Sequence, residues 1–343
     1  MIRRLIFPLV LAVLAIGLFL QSNAADEDAN RPSLVASEPT PPRLSTPLLS
    51  ARRLPEHLQT PEANRRLVTS LNENIGLLPE QSCFVVSEGG EIRYHHQPES
   101  QLIPASTQKL ITAVVALNEL GQDHKFTTQI LTQNAPIDGV IDGNVWLVGG
   151  GDPLVMTSDY AQRYLDDLAY TDLEILADQI IDLGINTITG AVVGDESYFD
   201  EIRWVESWPE RFRAGAQNQT GPLSALSVND GFMNWDAENT ANSLNTPAVE
   251  PAQFAAALFD DLLEERSVRI FQSAYAETKP VDAAIQLGVI ESPAVSEIVK
   301  QMLQTSDNTT AEILVKAIGA DSGVAGSTSS GNQIIQQVVE TLT

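Results

Sequence analysis

The sequence predicts an α+β fold in which a sheet-and-helix domain is interrupted by a large α/β segment. Three observations carry this expectation. A glycine-marked hairpin precedes a strongly apolar helix near residue 110, strand and helix patterns alternate from about 123 to 285, and helical periodicity alone returns from 286 onward. With 343 residues, 43% of them hydrophobic, the chain can bury more than one core.

Residues 1–24 read as an export signal: Arg3 and Arg4, an apolar run from Leu5 to Leu20, then Ser22-Asn23-Ala24 as a small-residue cleavage site. The run is also long enough to serve as an N-terminal membrane anchor, and either use sends the body to the periplasm or cell envelope. Residues 25–61, rich in Pro, Ser, Thr and charge without apolar period, read as a disordered linker.

The first part of the main domain, 62–122, opens with an amphipathic helix at Ala63–Asn74. Strands follow at Cys83–Ser87 and Glu91–His95, joined through Glu88-Gly89-Gly90. Cys83 is the sole cysteine, which excludes an internal disulfide and is expected to be a packed core thiol. From Leu102 to Gly121 the residues Leu110, Ile111, Val114, Val115, Leu117 and Leu120 cover most of a helical circumference, so this helix is expected to be buried nearly all round.

Residues 123–285 read as inserted material. Strands are expected at Phe126–Leu131, Thr187–Val193 and Val268–Phe271, with helices at Tyr160–Gly184 and Pro251–Arg266 and loops carrying Trp204, Trp208 and Phe212. A strand ending at Val148 runs into Gly149-Gly150-Gly151-Asp152-Pro153. This triplet lacks the Gly-Lys-Ser/Thr ending of a phosphate loop and the dinucleotide glycine spacing, so a tight backbone turn is expected. The second part of the main domain, 286–343, holds helices at Ser292–Leu303 and Ala311–Ile318, broken by Thr305–Thr310, and a last helix from Asn332 to the end.

The formal charge is −25, from 45 acidic against 20 basic residues, which speaks against a nucleic-acid or anionic-membrane surface. No His, Cys, Asp and Glu set stands at ligand spacing, and His95 and His96 point to opposite faces of a strand; neither a metal nor a cofactor is expected.

Chemistry concentrates at the start of the apolar helix. Ser106 and Lys109 are three apart and share a face, the arrangement by which a hydroxyl hands a proton to an amine. Apolar surroundings should pull the lysine pKa down and make it a usable base, while the helix start offers N–H groups to an oxyanion. Among the five lysines, Lys109, Lys125, Lys279, Lys300 and Lys316, Lys109 alone follows a serine by three residues. Ser306-Asp307-Asn308 lies in the helix break. Ser-x-Asn also occurs elsewhere, among other places at Ser70, Ser227 and Ser330, in an expected helix interior, a loop and a flexible Gly/Ser stretch; against these, Ser306 stands on a helix-to-helix turn that can project into a cleft.

Ser106-Thr107-Gln108-Lys109, an insertion containing Val148 to Pro153, and Ser306-Asp307-Asn308 followed by Ala311-Glu312-Ile313-Leu314-Val315-Lys316 together make the chain similar to the class C low-molecular-mass penicillin-binding proteins. These are D-alanyl-D-alanine carboxypeptidases and endopeptidases that carry extra domains inside the peptidase domain. The likeness runs from about Pro79 to Gly319 and includes Ile188–Phe199 and Gly221–Asp230. It implies a β-lactamase/DD-peptidase-like fold, with peptidoglycan stem peptides as substrate and β-lactams as covalent inhibitors. By the same resemblance Ser106 is the acylated nucleophile, Lys109 its base, Ser306 a proton relay towards the leaving amine, and Asn308 a partner of the substrate amide and of Lys109. Asp152 is either a contact for the amino end of a diaminopimelate side chain or a turn cap.

One departure stands out: no Lys-Thr-Gly, Lys-Ser-Gly or His-Thr-Gly triad occurs in the sequence. In the family that segment supplies the cation for the substrate carboxylate, an edge of the oxyanion hole and strands of the sheet. The expectation is therefore a C-terminally truncated peptidase, weak or inactive, with an exposed sheet edge. Two other readings share parts of the pattern: a serine β-lactamase, and a noncatalytic envelope protein that binds peptidoglycan or acts as a scaffold.

Overall fold

A computed structural model of the protein describes residues 56–162, 168–213, 220–235 and 245–342. The expected export signal and most of the expected linker fall outside the described residues. The chain forms two compact units that divide after Leu102.

In the first unit, helix α1 spans Glu56–Asn74 and so begins ahead of the expected Ala63. Glu62 ties its exposed side to Arg65 and Arg66 at 3.0 and 3.1 Å, the i,i+3 and i,i+4 pairing that supports a polar helix. Strands β1 (Phe84–Glu88) and β2 (Glu91–His96) pair antiparallel. Their two-residue loop needs positive φ at both positions, which Gly89 (58°) and Gly90 (82°) supply without steric cost. Tyr94 donates from its hydroxyl to Asn72 Oδ1 at 2.8 Å, tying β2 to α1. Cys83 precedes the first paired residue and is exposed, so it is not the core thiol expected from the apolar run around it.

The second unit opens with a 3-10 turn at Ala105–Gln108 that leads into α2 (Lys109–Glu119). A five-stranded mixed sheet follows. Its strands are β3 (Thr127–Thr132), β4 (Val145–Gly149), β5 (Val192–Asp195), β6 (Tyr275–Ala276) and β7 (Ile285–Glu291), in the order β6-β5-β4-β3-β7. The β6, β5 and β4 run is parallel, whereas β3 pairs antiparallel with both β4 and β7. Helices α3 (Leu173–Asp182) and α4 (Pro251–Glu265) pack on this sheet, burying Ile130, Leu147, Leu176 and Phe259 in one apolar cluster. The glycine triplet at the end of β4 is a place of close backbone approach: a Cβ on Gly149 would lie 2.3 Å from the Ala225 carbonyl oxygen, and one on Gly150 2.4 Å from that of Thr127.

Two expected elements are divided. The long helix Tyr160–Gly184 is absent: Ser158–Ala161 makes one turn, and α3 starts only at Leu173, where the Asp172 carboxylate accepts from Glu174 N at 2.9 Å and caps it. The expected strand Thr187–Val193 also breaks. Thr187–Ile188 joins a small parallel sheet with Val140–Ile141 and Arg269–Ile270, and β5 begins afresh at Val192.

The helical layer consists of α2, α5 (Val295–Thr305), α6 (Asn308–Asp321) and α7 (Thr328–Leu342). Helix α6 packs against α2, α5 and α7, and Ile298, Met302, Ile313, Leu314 and Ile318 form the shared core. Lys316 is fully buried on α6; its ammonium donates to Asp200 and to the Ile202 carbonyl, which satisfies the charge. Ser330 is also buried, donating to the Ala325 carbonyl at 2.6 Å from within α7, rather than lying in a flexible stretch. Helix α2 is not buried all round. Lys109, Thr112, Ala113, Val115 and Ala116 face the layer, while Leu110, Val114 and Leu117 are 54, 51 and 36% exposed. An apolar count states how much of a helix can be buried, not how many partners it finds.

Candidate active site

The 3-10 turn and the α5–α6 junction bring together residues far apart in the chain. Pro104 opens the turn and Ala105 takes φ 49°, a left-handed conformation costly for a residue with a Cβ. That kink presents Ser106 outward while Lys109, three residues on, enters the buried face. At the junction Ser306 is the left-handed cap of α5, with φ 58° and ψ 36°. Asp307 then caps α6, accepting from Thr309 N at 2.9 Å and from the Thr310 hydroxyl. Asn308, the first residue of α6, is thereby aimed at the start of α2.

The Lys109 ammonium lies 3.2 Å from Ser106 Oγ, 3.4 Å from Ser306 Oγ and 2.5 Å from Asn308 Oδ1, and Ser306 Oγ donates to Ser106 Oγ at 2.8 Å. Three acceptors match the three donors of a charged lysine. Once the amine is neutral its lone pair must be served by a donor, and the Ser106 hydroxyl stands within reach. Lys109 is 7% exposed, and burial holds its pKa below the usual lysine range although Asp307 and Glu312 pull the other way. A hydroxyl, a desolvated amine and a second hydroxyl in mutual contact form a proton path for acyl transfer. Thr107 N donates to the Pro104 carbonyl at 3.2 Å, which leaves the N–H groups of Ala105 and Ser106 as the candidate oxyanion donors of the turn.

These residues open onto a cavity of about 1400 Å³. That exceeds the roughly 300–1,000 Å³ of pockets built for drug-sized molecules. Its lining also carries Met156, Tyr170, Trp208 and Phe212, and it includes Glu312, whose carboxyl burial lifts to about 7 despite Lys316 and Lys109. The apolar lining and Glu312 were not singled out by sequence reasoning. The signal for Glu312 was its position four residues after Asn308, on the same face of α6.

Ser106, Lys109, Ser306 and Asn308 converge, as the resemblance implied; Asp152 does not join them. It is 2% exposed, accepts from Leu154 N at 2.9 Å and from the Thr171 hydroxyl at 2.6 Å, and is absent from the cavity lining. Its carboxylate caps the turn that orients Leu154 and Met156, and burial raises its pKa to about 6. Of the other Ser-x-Asn sites, Ser227 is buried and Ser330 is held inside α7, so neither hydroxyl competes for the cavity.

A family model for the D-Ala-D-Ala carboxypeptidase 3 (S13) family matches residues 77–250 and 236–343. The chain belongs to the S13 peptidase family. Curated relatives include a D-alanyl-D-alanine carboxypeptidase of Actinomadura sp. (strain R39), 27% identical over 359 aligned positions, 84% of this chain and 64% of that protein. A carboxypeptidase of Mycobacterium tuberculosis is 25% identical over 233 positions, 67% of this chain and 46% of that one. The S13 chain thus spans less than two thirds of the length of either. Penicillin-binding protein 4 of Haemophilus influenzae shares the fold with a TM-score of 0.65 at 19% identity, covering 79% of this chain and 70% of that one. The chain therefore has an α+β fold shared with that penicillin-binding protein, as the sequence led one to expect.

Proposed function

We propose that this S13 chain is an exported serine-type D-Ala-D-Ala carboxypeptidase or endopeptidase that acts on peptidoglycan stem peptides through an acyl-enzyme. The observation that carries the reading is the meeting of Ser106, Lys109, Ser306 and Asn308 at the mouth of one large cavity. Ser106 Oγ attacks the carbonyl carbon of the penultimate D-alanine, and its proton passes to the neutral Lys109 amine. Ser306 returns that proton to the departing amine, so the peptide bond breaks as the serine ester forms; water then releases the peptide. Asn308 orients the lysine and the substrate amide. A β-lactam enters the same path and stays on the serine. Further support comes from the Haemophilus penicillin-binding protein 4, also known in complex with a β-lactam. We further propose that 123–285 is inserted between two parts of the peptidase domain, 62–122 and 286–343, and that its aromatic wall receives the stem peptide.

Incubation with a fluorescent penicillin, followed by peptide mass mapping, should place the adduct on Ser106 and should yield none in Ser106→Ala. Labelling that persists in Ser106→Ala would sink the reading. Rapid turnover of the drug would favour a β-lactamase, and an unchanged cellular role in the same variant would favour a noncatalytic binding protein.

A further inference from the structure

Resting on the serine-peptidase reading above, we propose that Glu312 is a positioning residue for the base: it acts through Lys109, its carboxylate steadying the ammonium that forms when the amine takes the proton of Ser106. Both line the same cavity, from helices packed against each other. On α6, Glu312 sits one turn beyond Asn308, the residue that accepts from the lysine amine, and one turn before Lys316. This puts the carboxyl in the cavity lining, partly buried and acted on by two lysines, where either charge alone is costly.

The charged groups around it divide the work. Lys316 faces Glu312 from its own helix, but its ammonium is engaged by the Asp200 carboxylate and the Ile202 carbonyl, with Glu196 and Arg203 acting on it from the same side. Lys109 faces it from α2, where Asp307 also acts on the amine. Lys109 is therefore the cation whose charge the reaction alters. Burial lowers the lysine and raises the acid to about 7, and each charge offsets part of that cost for the other. Above that pH the carboxylate is charged when the amine takes the proton of Ser106, and it steadies the ammonium that results.

The test follows Lys109 directly by nitrogen-15 lysine labelling and NMR titration of the full chain, which has only five lysines to resolve. Removing the carboxylate in Glu312→Gln should lower the Lys109 midpoint by on the order of one pH unit, because an ionised neighbour can only raise it. Glu312→Asp should bring the midpoint back towards that of the parent protein. A midpoint unchanged in Glu312→Gln, or lowered equally in both variants, would overturn the proposal, and the isosteric amide leaves the packing of α6 in place. The titration needs no acylation, so loss of penicillin labelling alone counts against the serine-peptidase reading and leaves this one to be judged by the midpoints.

Discussion

Around Leu147 the sheet layer buries Ile130, Leu147 and Val192 completely, and its buried carboxylate, Asp152, caps a turn. Around Ser306 the helical layer keeps a lysine buried, holds Ala105 and Ser306 at positive φ, and leaves Leu110 and Val114 of the same helix half-exposed. Both layers have continuous apolar cores. The difference is that the helical layer gathers its departures at the α2–α6 contact, beside a buried amine. Such clustered departures mark the place where stability has been given up for chemistry.

Three substitutions would break or sharpen that contrast. The largest effect is expected from Leu147→Ala, which deletes a fully buried side chain in the sheet and should cost about 2–5 kcal/mol in denaturant unfolding. The acylation rate of the folded fraction should stay unchanged; a matching loss of rate would mean the two layers are not separable. Ser306→Gly comes next and should move two properties in opposite directions. Glycine adopts φ 58° freely, so stability should rise by about 1 kcal/mol, while loss of the hydroxyl should slow acylation about 10²-fold. A variant that is slower and also less stable would deny that Ser306 is strained for function.

Asp152→Asn is the mildest. The folded pKa of about 6 lies above the ordinary 3.8, so folding favours the protonated acid. That contribution is full below the unfolded value and is lost as pH rises through about 6, on the order of 3 kcal/mol in all. In the amide variant this part of the decline should vanish from thermal melts taken across the same window. Glu312, raised to about 7, contributes a decline of the same sign that should remain. An undiminished slope would show that Asp152 is not the group titrating.

Much of this was legible in the sequence because local signals and packing coincide in the sheet. Gly89-Gly90 named the hairpin, Pro251 the start of α4, and Thr305–Thr310 the break where Ser306 sits. The errors have separate causes. Tyr160–Gly184 looked continuous because apolar spacing outweighed the capping signal of Asp172. Ser330 looked mobile by composition, yet its hydroxyl found a buried carbonyl. The apolar girth of α2 could not state that only one side would be covered, and the kink at Ala105 leaves no trace in residue type. Glu312 was hidden because a glutamate in a helix normally points into water.

The hydroxyls of Ser106 and Ser306 meet across a sequence separation of 200 residues. Closing so long a loop is entropically late work, since contacts distant in sequence form after local ones have repaid their ordering. A chain still emerging from synthesis, or one caught half-folded, therefore displays Ser106 and Lys109 without the Ser306 and Asn308 that complete the cluster.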